Sequence, residues 1–304
     1  MPLMNKFSLN GVEVLTSSLT QRAFRAVCCD LLVSITPKDL GDALAAFQQG
    51  RFSGLHVSGI ADLSFLADVP DLRYLEVVGQ KRVNTRFLDG LANLRGLRLE
   101  TPGAGLDFSC FPLLEVFVGD WHVDNCNVRR SEELRQLRAW HFKPKSLDLS
   151  DLADATRLEM LHLTQTSIAS LAGLETLEDL RYFEVAYAHK LESLDTLASD
   201  RVEIRELSFG NAKAIRSYEP IAAIRRLRRL KLSSCAPMRD LKWTRGLEEL
   251  DSFSFVNTNV EDGNLSPLLE LPKLRYAGTM DKKHYNYKFA ALNALLSQRA
   301  EIPD

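Results

Sequence analysis

Catalytic chemistry in this chain would have to come from very few residues. The segment Asp120-Trp121-His122-x-x-x-Cys126, with His141 further on, is the one arrangement that offers carboxylate, imidazole and thiol groups within reach of each other in sequence. Such groups bind a metal or trade protons when a fold makes them converge, but nothing in their spacing fixes a geometry. There is no P-loop, no G-x-G-x-x-G, no G-x-S-x-G, no H-E-x-x-H and no paired C-x-x-C. The five cysteines (Cys28, Cys29, Cys110, Cys126, Cys235) are odd in number and scattered, which suits free thiols in a reducing compartment. The reading is therefore a non-enzyme, with no catalytic residue, cofactor or metal expected.

Recognition chemistry is richer. Aromatic, methionine and charged residues recur at intervals near 22: Tyr74 and Glu76, Arg98, Phe117, Arg138 and Trp140, Met160 and His162, Tyr182 and Glu184 with nearby Tyr187, then Arg229 and Lys231. Trp, Tyr and Arg are the residue types that anchor protein interfaces. A contiguous exposed set of rings needs a reason that a single exposed ring does not. These thirteen residues form the candidate partner-binding set. The competing reading is that the rings cover an irregular coil or pack on one another.

What positions them is a repeat. Of 304 residues 51 are leucine, and 51/304 is close to 17%. An L-x-x-L-x-L pattern begins at residues 52, 72, 94, 113, 134, 158, 180, 204, 227, 250 and 274, a mean period of (274 − 52)/10, or 22.2 residues. The alternation of the L-x-L pairs predicts a strand with one buried face. Runs such as Ile168-Leu171-Leu174-Leu177 place apolar residues every third position, as in a 3-10 or short helical return. Neither part buries its apolar face alone, so the units must stack as a solenoid. Positions three, five and seven of each rung then point away from the core, and the candidate set falls on them, with Tyr187 just beyond. The rung at Leu113-Val116-Val118 puts Phe117 on that outer face.

The runs Leu88-Asp89-Gly90-Leu91-Ala92-Asn93-Leu94 and Leu171-Ala172-Gly173-Leu174-Glu175-Thr176-Leu177 resemble the leucine-rich repeat family, in particular its 22-residue internalin-like and cytosolic class. The resemblance spans about Phe52 to Met280. It implies a curved α/β repeat solenoid with parallel strands on the concave face and short 3-10 or helical returns on the convex face. In that family an Asn eight residues after the first Leu bonds the backbone between coils. Here that place holds Gln80, Pro102, Trp121, Phe142, Thr166, Ala188, Ala212, Cys235 and Thr258. Thr and Cys can substitute in part, and the coils between Pro102 and Phe142 are expected to be the least regular.

The expected organisation is an N-terminal cap over residues 1–51, about eleven coils over 52–280 and a C-terminal helical cap over 281–304. In the first cap, residues 30–35 read as a strand and 37–48 as a helix with Thr36 as its N-cap. In the last, Tyr287 to Gln298 reads as a helix with Phe289, Leu292, Leu295 and Leu296 on one face.

Charge is nearly balanced, 38 Lys+Arg against 40 Asp+Glu, which argues against a general nucleic-acid or polybasic membrane binder. It is unevenly placed, however. Residues 213–245 carry ten bases and two acids, and residues 148–206 carry thirteen acids and five bases. Absence of a secretory leader and of any spanning apolar run points to a cytoplasmic protein. The leading expectation is a scaffold that holds another protein on its concave face, about 50 Å long for eleven strands. The family resemblance implies a regulatory role, or a toxin-neutralising (immunity-type) one. The alternatives are an enzyme built on the His122/His141 region and a nucleic-acid binder using residues 213–245.

Overall fold

The structure, a computed structural model, describes residues 6–9, 12–16, 31–79, 82–100, 105–153 and 155–300. Cys28, Cys29, Gln80 and Pro102 lie outside the described residues. The chain divides into two compact units, residues 1–140 and 141–304.

The first unit opens with an antiparallel pair, β1 (Lys6–Leu9) and β2 (Val12–Thr16), and β2 runs antiparallel to β3 (Leu31–Ile35). From β3 the pairing is parallel and follows chain order through β4 (Gly54–Ser58), β5 (Tyr74–Val78), β6 (Gly96–Leu99), β7 (Val116–Asp120) and β8 (Gln136–Trp140). The helix α1 (Leu40–Ala46) follows β3. It starts later than Pro37 because Asp39 accepts both the main-chain N–H of Thr36, at 2.6 Å, and its hydroxyl, at 2.8 Å, which makes residues 37–39 a turn.

The second unit repeats the parallel pattern with β9 (Met160–Thr164), β10 (Tyr182–Ala186), β11 (Glu206–Gly210), β12 (Arg229–Ser233), β13 (Ser252–Ser254) and β14 (Tyr276–Gly278), and ends in α2 (Phe289–Ala300). In it Leu161, Phe183, Leu207, Leu230, Phe253 and Ala277 stack in register, all buried. Each large side chain in such a column stabilises the coil by roughly 1.5–3 kcal/mol. The returns are 3-10 turns, among them Leu174–Thr176, Asp195–Ala198, Glu219–Ala223 and Lys242–Gly246.

Two recurrent devices turn the chain. Asp62, Asn84, Asp107, Asp148, Asp240 and Asn264 each accept the N–H of the residue two further on, which opens the 3-10 return. At the other corner, the residue after the strand takes a left-handed backbone at Gly59, Gly79, His141, Gln165, Tyr187, Asn211 and Ser234, as does Asn257 three residues past β13, all with φ between 53° and 75°. The N–H groups of His141, Gln165, Tyr187, Asn211 and Ser234 carry the ladder to the next coil, as from Gln165 to Ala186 at 2.9 Å and from Asn211 to Ser233 at 2.8 Å.

The hydrogen bonds expected of the inter-coil position are present where the sequence supplies a donor. The Thr166 hydroxyl donates to the Phe142 carbonyl at 2.7 Å and that of Thr258 to Leu232 at 2.9 Å. The Cys235 thiol donates to Phe209 at 3.2 Å, and burial pushes its pKa up. Phe142, Ala188 and Ala212 fill the position by packing instead.

The irregular coil is the one after β7. Its corner residue Trp121 has no left-handed backbone and stacks on Phe108, with ring centroids 5.7 Å apart, and meets Phe117 edge-on at 6.3 Å. Here the expected rung is corrected by one residue. Phe117 pairs with Leu97 and Leu137, so the rung is Leu114-Phe117-Gly119, not Leu113-Val116-Val118. Phe117 is fully buried in the core and Leu113 is exposed. The inward place at Gly119 admits nothing larger, since a Cβ there would lie 2.2 Å from the Leu99 carbonyl oxygen.

At the C-terminal end, α2 begins at Phe289, whose N–H donates to Asp281 at 2.6 Å. Leu292 and Leu296 are buried, but Phe289 and Leu295 are exposed, so the seam is narrower than the four residues expected. The last strand is closed by one side chain. The Asn293 amide donates to the Ala277 carbonyl at 2.9 Å and accepts from the Ala277 N–H at 3.0 Å, occupying the bonds a further strand would make.

Candidate recognition surface

The outward positions of the strands form a face in each unit, and the two faces differ. In the first unit that face is largely buried, where the sequence reading expects it exposed. Glu76 is wholly buried, in register between His56 on β4 and Arg98 on β6. Its carboxylate lies 3.1 Å from Nδ1 of His56 and 3.9 Å from the Arg98 guanidinium, which also holds Glu100 at 2.5 Å. A carboxylate tolerates such burial because it is paired on both sides. Tyr74 is buried as well, in register between Gly54 and Gly96; a Cβ at Gly54 would lie 2.7 Å from the Cβ of Tyr74 and 2.3 Å from the Leu32 side chain. Phe117 belongs to the core, and β7 instead presents Val116 and Val118, also buried, at the outward positions. Arg138 and Trp140 on β8 are partly exposed, with the guanidinium carbon 5.0 Å from the ring centroid, a cation–π contact.

In the second unit the face is open to solvent, with inward residues buried and outward ones half-buried or exposed. Met160, Tyr182, Glu206, Arg229, Ser252 and Tyr276 lie side by side at position three, and His162, Glu184, Ser208, Lys231 and Ser254 at position five. His162 is 3.6 Å from Glu184 and 3.1 Å from the Thr164 hydroxyl. Arg229 donates to Glu206 at 3.0 Å. Tyr187 lies off the face, exposed at the left-handed corner after β10, with its ring 6.5 Å from that of His189.

Coil-to-coil ion pairs join the acidic and basic segments. Arg226 donates to Glu203 at 2.9 Å, Arg229 to Glu206 at 3.0 Å, and Arg216 pairs with Glu192. Part of the positive charge in residues 213–245 is thus met by the acidic stretch one coil earlier.

Among the described residues no group of three or more His, Cys, Asp or Glu side chains is placed to hold a metal. His122 accepts the Asp124 N–H and lies 3.5 Å from its carboxylate, in a mostly exposed loop. Cys126 bridges to Asp107 through the backbone, and slight desolvation, then the Asp107 and Asp124 carboxylates, push the pKa of its exposed thiol up, against nucleophilic use. His141 is a corner residue whose N–H bonds to Thr164 at 2.9 Å. A groove of about 860 Å³ lies on the return side of the second unit, between Ala198–Glu203, Ala222–Arg226 and Gly246–Glu248. Among the described residues no helix is long and apolar enough to cross a membrane.

No family model and no curated protein sequence matches the chain. Among solved structures, an internalin (InlF) from Listeria monocytogenes superposes with a TM-score of 0.55 at 17% identity, over 90% of this chain and 85% of that one. The fold is that of the leucine-rich repeat proteins. Two further likenesses are internalin C2 from the same organism, with a TM-score of 0.43 at 16% identity over 71% of this chain and 84% of that one, and the leucine-rich repeat domain of the type III effector XopL, with a TM-score of 0.49 at 14% identity over 64% and 74%.

Within this leucine-rich repeat fold, two features escaped the sequence reading although their signals are present. The corner positions hold Gly59, Gly79, Asn211 and Asn257 at a fixed seven residues past the first rung position, the residue types that adopt positive φ most readily. His56, Glu76 and Arg98 share one rung position, so a polar triad across three strands was implied by the period itself.

Proposed function

We propose that this chain is a non-enzymatic scaffold that binds a partner protein on its strand face, in the cytoplasm, in a regulatory or toxin-neutralising (immunity-type) role. The observation that carries the reading is the open face of β9 to β14. Met160, Tyr182, Arg229, Lys231 and Tyr276 stand there, half-buried or exposed, at positions where the fold itself requires no large side chain. Half-exposed aromatic residues and arginine are the usual anchors of an interface. The buried cluster around Glu76 serves the first unit's own stability in this reading, so the candidate set contracts to Arg138 and Trp140 in the first unit, and to Met160, His162, Tyr182, Glu184, Arg229 and Lys231 in the second.

The test is affinity capture from the native lysate with the wild type and with Trp140→Ala/Tyr182→Ala. The reading predicts one stoichiometric protein that the double variant loses, with an affinity drop of about tenfold or more for either single change. A captured protein that both forms retain equally would overturn the strand-face site.

A further inference from the structure

The strand face of the second unit changes chemistry along its length. At position five the side chains run His162, Glu184, Ser208, Lys231 and Ser254, in register on consecutive strands. His162 is satisfied by Glu184 and Thr164. Of the two lysine or arginine residues on these strands, Arg229 is tied to Glu206, in register with it on β11. The same step back from Lys231 meets Ser208, and the step forward meets Ser254. Lys231 is exposed and has no ion pair among the described residues. Apart from the Arg229–Glu206 pair one step along the strands, its neighbours on the face are short: Ser233 and Gly210 beside it, and Ser252 and Gly278 on the next strands. Lys231 is therefore flanked in register by two serines, with Tyr182 two strands to one side and Tyr276 two strands to the other.

That arrangement has a chemical complement. An ammonium flanked by hydroxyl donors offers charge-assisted hydrogen bonds to a planar, singly charged acceptor. With Arg229 already committed to Glu206, the site supplies one free positive charge, which suits a carboxylate better than a dianionic phosphate. We infer that the strand face over β11 to β13 docks an acidic segment of the partner protein, with an Asp or Glu carboxylate seated on Lys231 between the Ser208 and Ser254 hydroxyls. The inference rests on the strand face being the binding surface and adds the charge of what it binds.

The experiment is a random-peptide phage selection run in parallel on the wild type and on Lys231→Glu, with far-UV circular dichroism to show that both are folded. Wild-type binders are expected to be enriched in Asp and Glu, and Lys231→Glu binders in Lys and Arg. Synthesised wild-type binders should bind Lys231→Gln about tenfold more weakly by fluorescence anisotropy. Binders without an acidic excess, the same binders on both proteins, or no binders at all would overturn the inference. Tyr182→Ala separates the two levels. Peptides weakened by Tyr182→Ala but not by Lys231→Gln would leave the strand face standing and remove the acidic partner. Peptides indifferent to both changes would remove both.

Discussion

Replacing Thr258 with Val tests the inter-coil hydrogen bonds most sharply. Thr258 is 1% exposed, and its hydroxyl works in both directions. It donates to the Leu232 carbonyl at 2.9 Å and accepts the Cys235 N–H at 3.0 Å. Valine keeps the shape and removes both bonds, leaving two buried backbone groups that cannot reach water. An abandoned buried polar group costs about 1–3 kcal/mol, so Thr258→Val, which abandons two, should lose about 2–6 kcal/mol. Thr258→Ser keeps both bonds and loses one buried methyl group, about 1 kcal/mol. Thr166 donates to the Phe142 carbonyl at 2.7 Å but accepts only a long bond, from the Ile168 N–H at 3.4 Å, so Thr166→Val should fall between them. Urea unfolding followed by tryptophan fluorescence and far-UV circular dichroism reads all three, with the two probes compared because repeat arrays can unfold in parts. If Thr258→Val stays within about 0.5 kcal/mol of wild type, or Thr258→Ser costs as much as Thr258→Val, the ladder argument is wrong.

Three other outcomes follow from the same geometry. Phe117→Ala should destabilise the protein by about 3–5 kcal/mol, as a buried core ring does, whereas Tyr182→Ala should cost little; equal small losses in thermal melts would return Phe117 to the surface. Asn293→Ala exposes the backbone of β14 and should raise the rate of aggregation measured by light scattering, with Asn293→Gln no full substitute because the longer amide misses the two bonds to Ala277. Hydrogen bonds from Ser109, then Asn127, hold the Asp107 carboxyl below its usual range. A depressed folded pKa gives stability that is present above the unfolded pKa and lost as pH falls through the folded one. Asp107→Asn should therefore flatten the acid limb of a melting-temperature profile below about pH 4, and an unchanged limb would count against it.

The period, the parallel strands and the 3-10 returns were legible because each rests on spacing alone. Leu158-Leu161-Leu163 and Leu227-Leu230-Leu232 have one phase, polar between apolar, and the strands form accordingly. The slip at residue 113 came from a doublet. Leu113-Leu114 starts two rungs, and both Val116-Val118 and Phe117 satisfy an apolar alternation, so the pattern does not choose between them. The choice is made by packing, since Gly119 must sit against the Leu99 carbonyl and Phe117 against Phe108 and Trp121. The burial of Glu76 was hidden for another reason. A charged residue at an outward position reads as solvated unless its cross-strand partners are read with it, and here they are His56 and Arg98. Lys231 escaped that fate because serines occupy the equivalent places on β11 and β13.

The central claim is that a partner protein lies on the strand face, and hydrogen–deuterium exchange of the complex tests it most directly. The account predicts slower exchange over β9 to β13, centred on residues 182–184 and 229–231, with the 3-10 returns unchanged. Protection confined to the return side, across Ala198–Glu203, Ala222–Arg226 and Gly246–Glu248, would contradict it and move the binding surface to the opposite side of the coils.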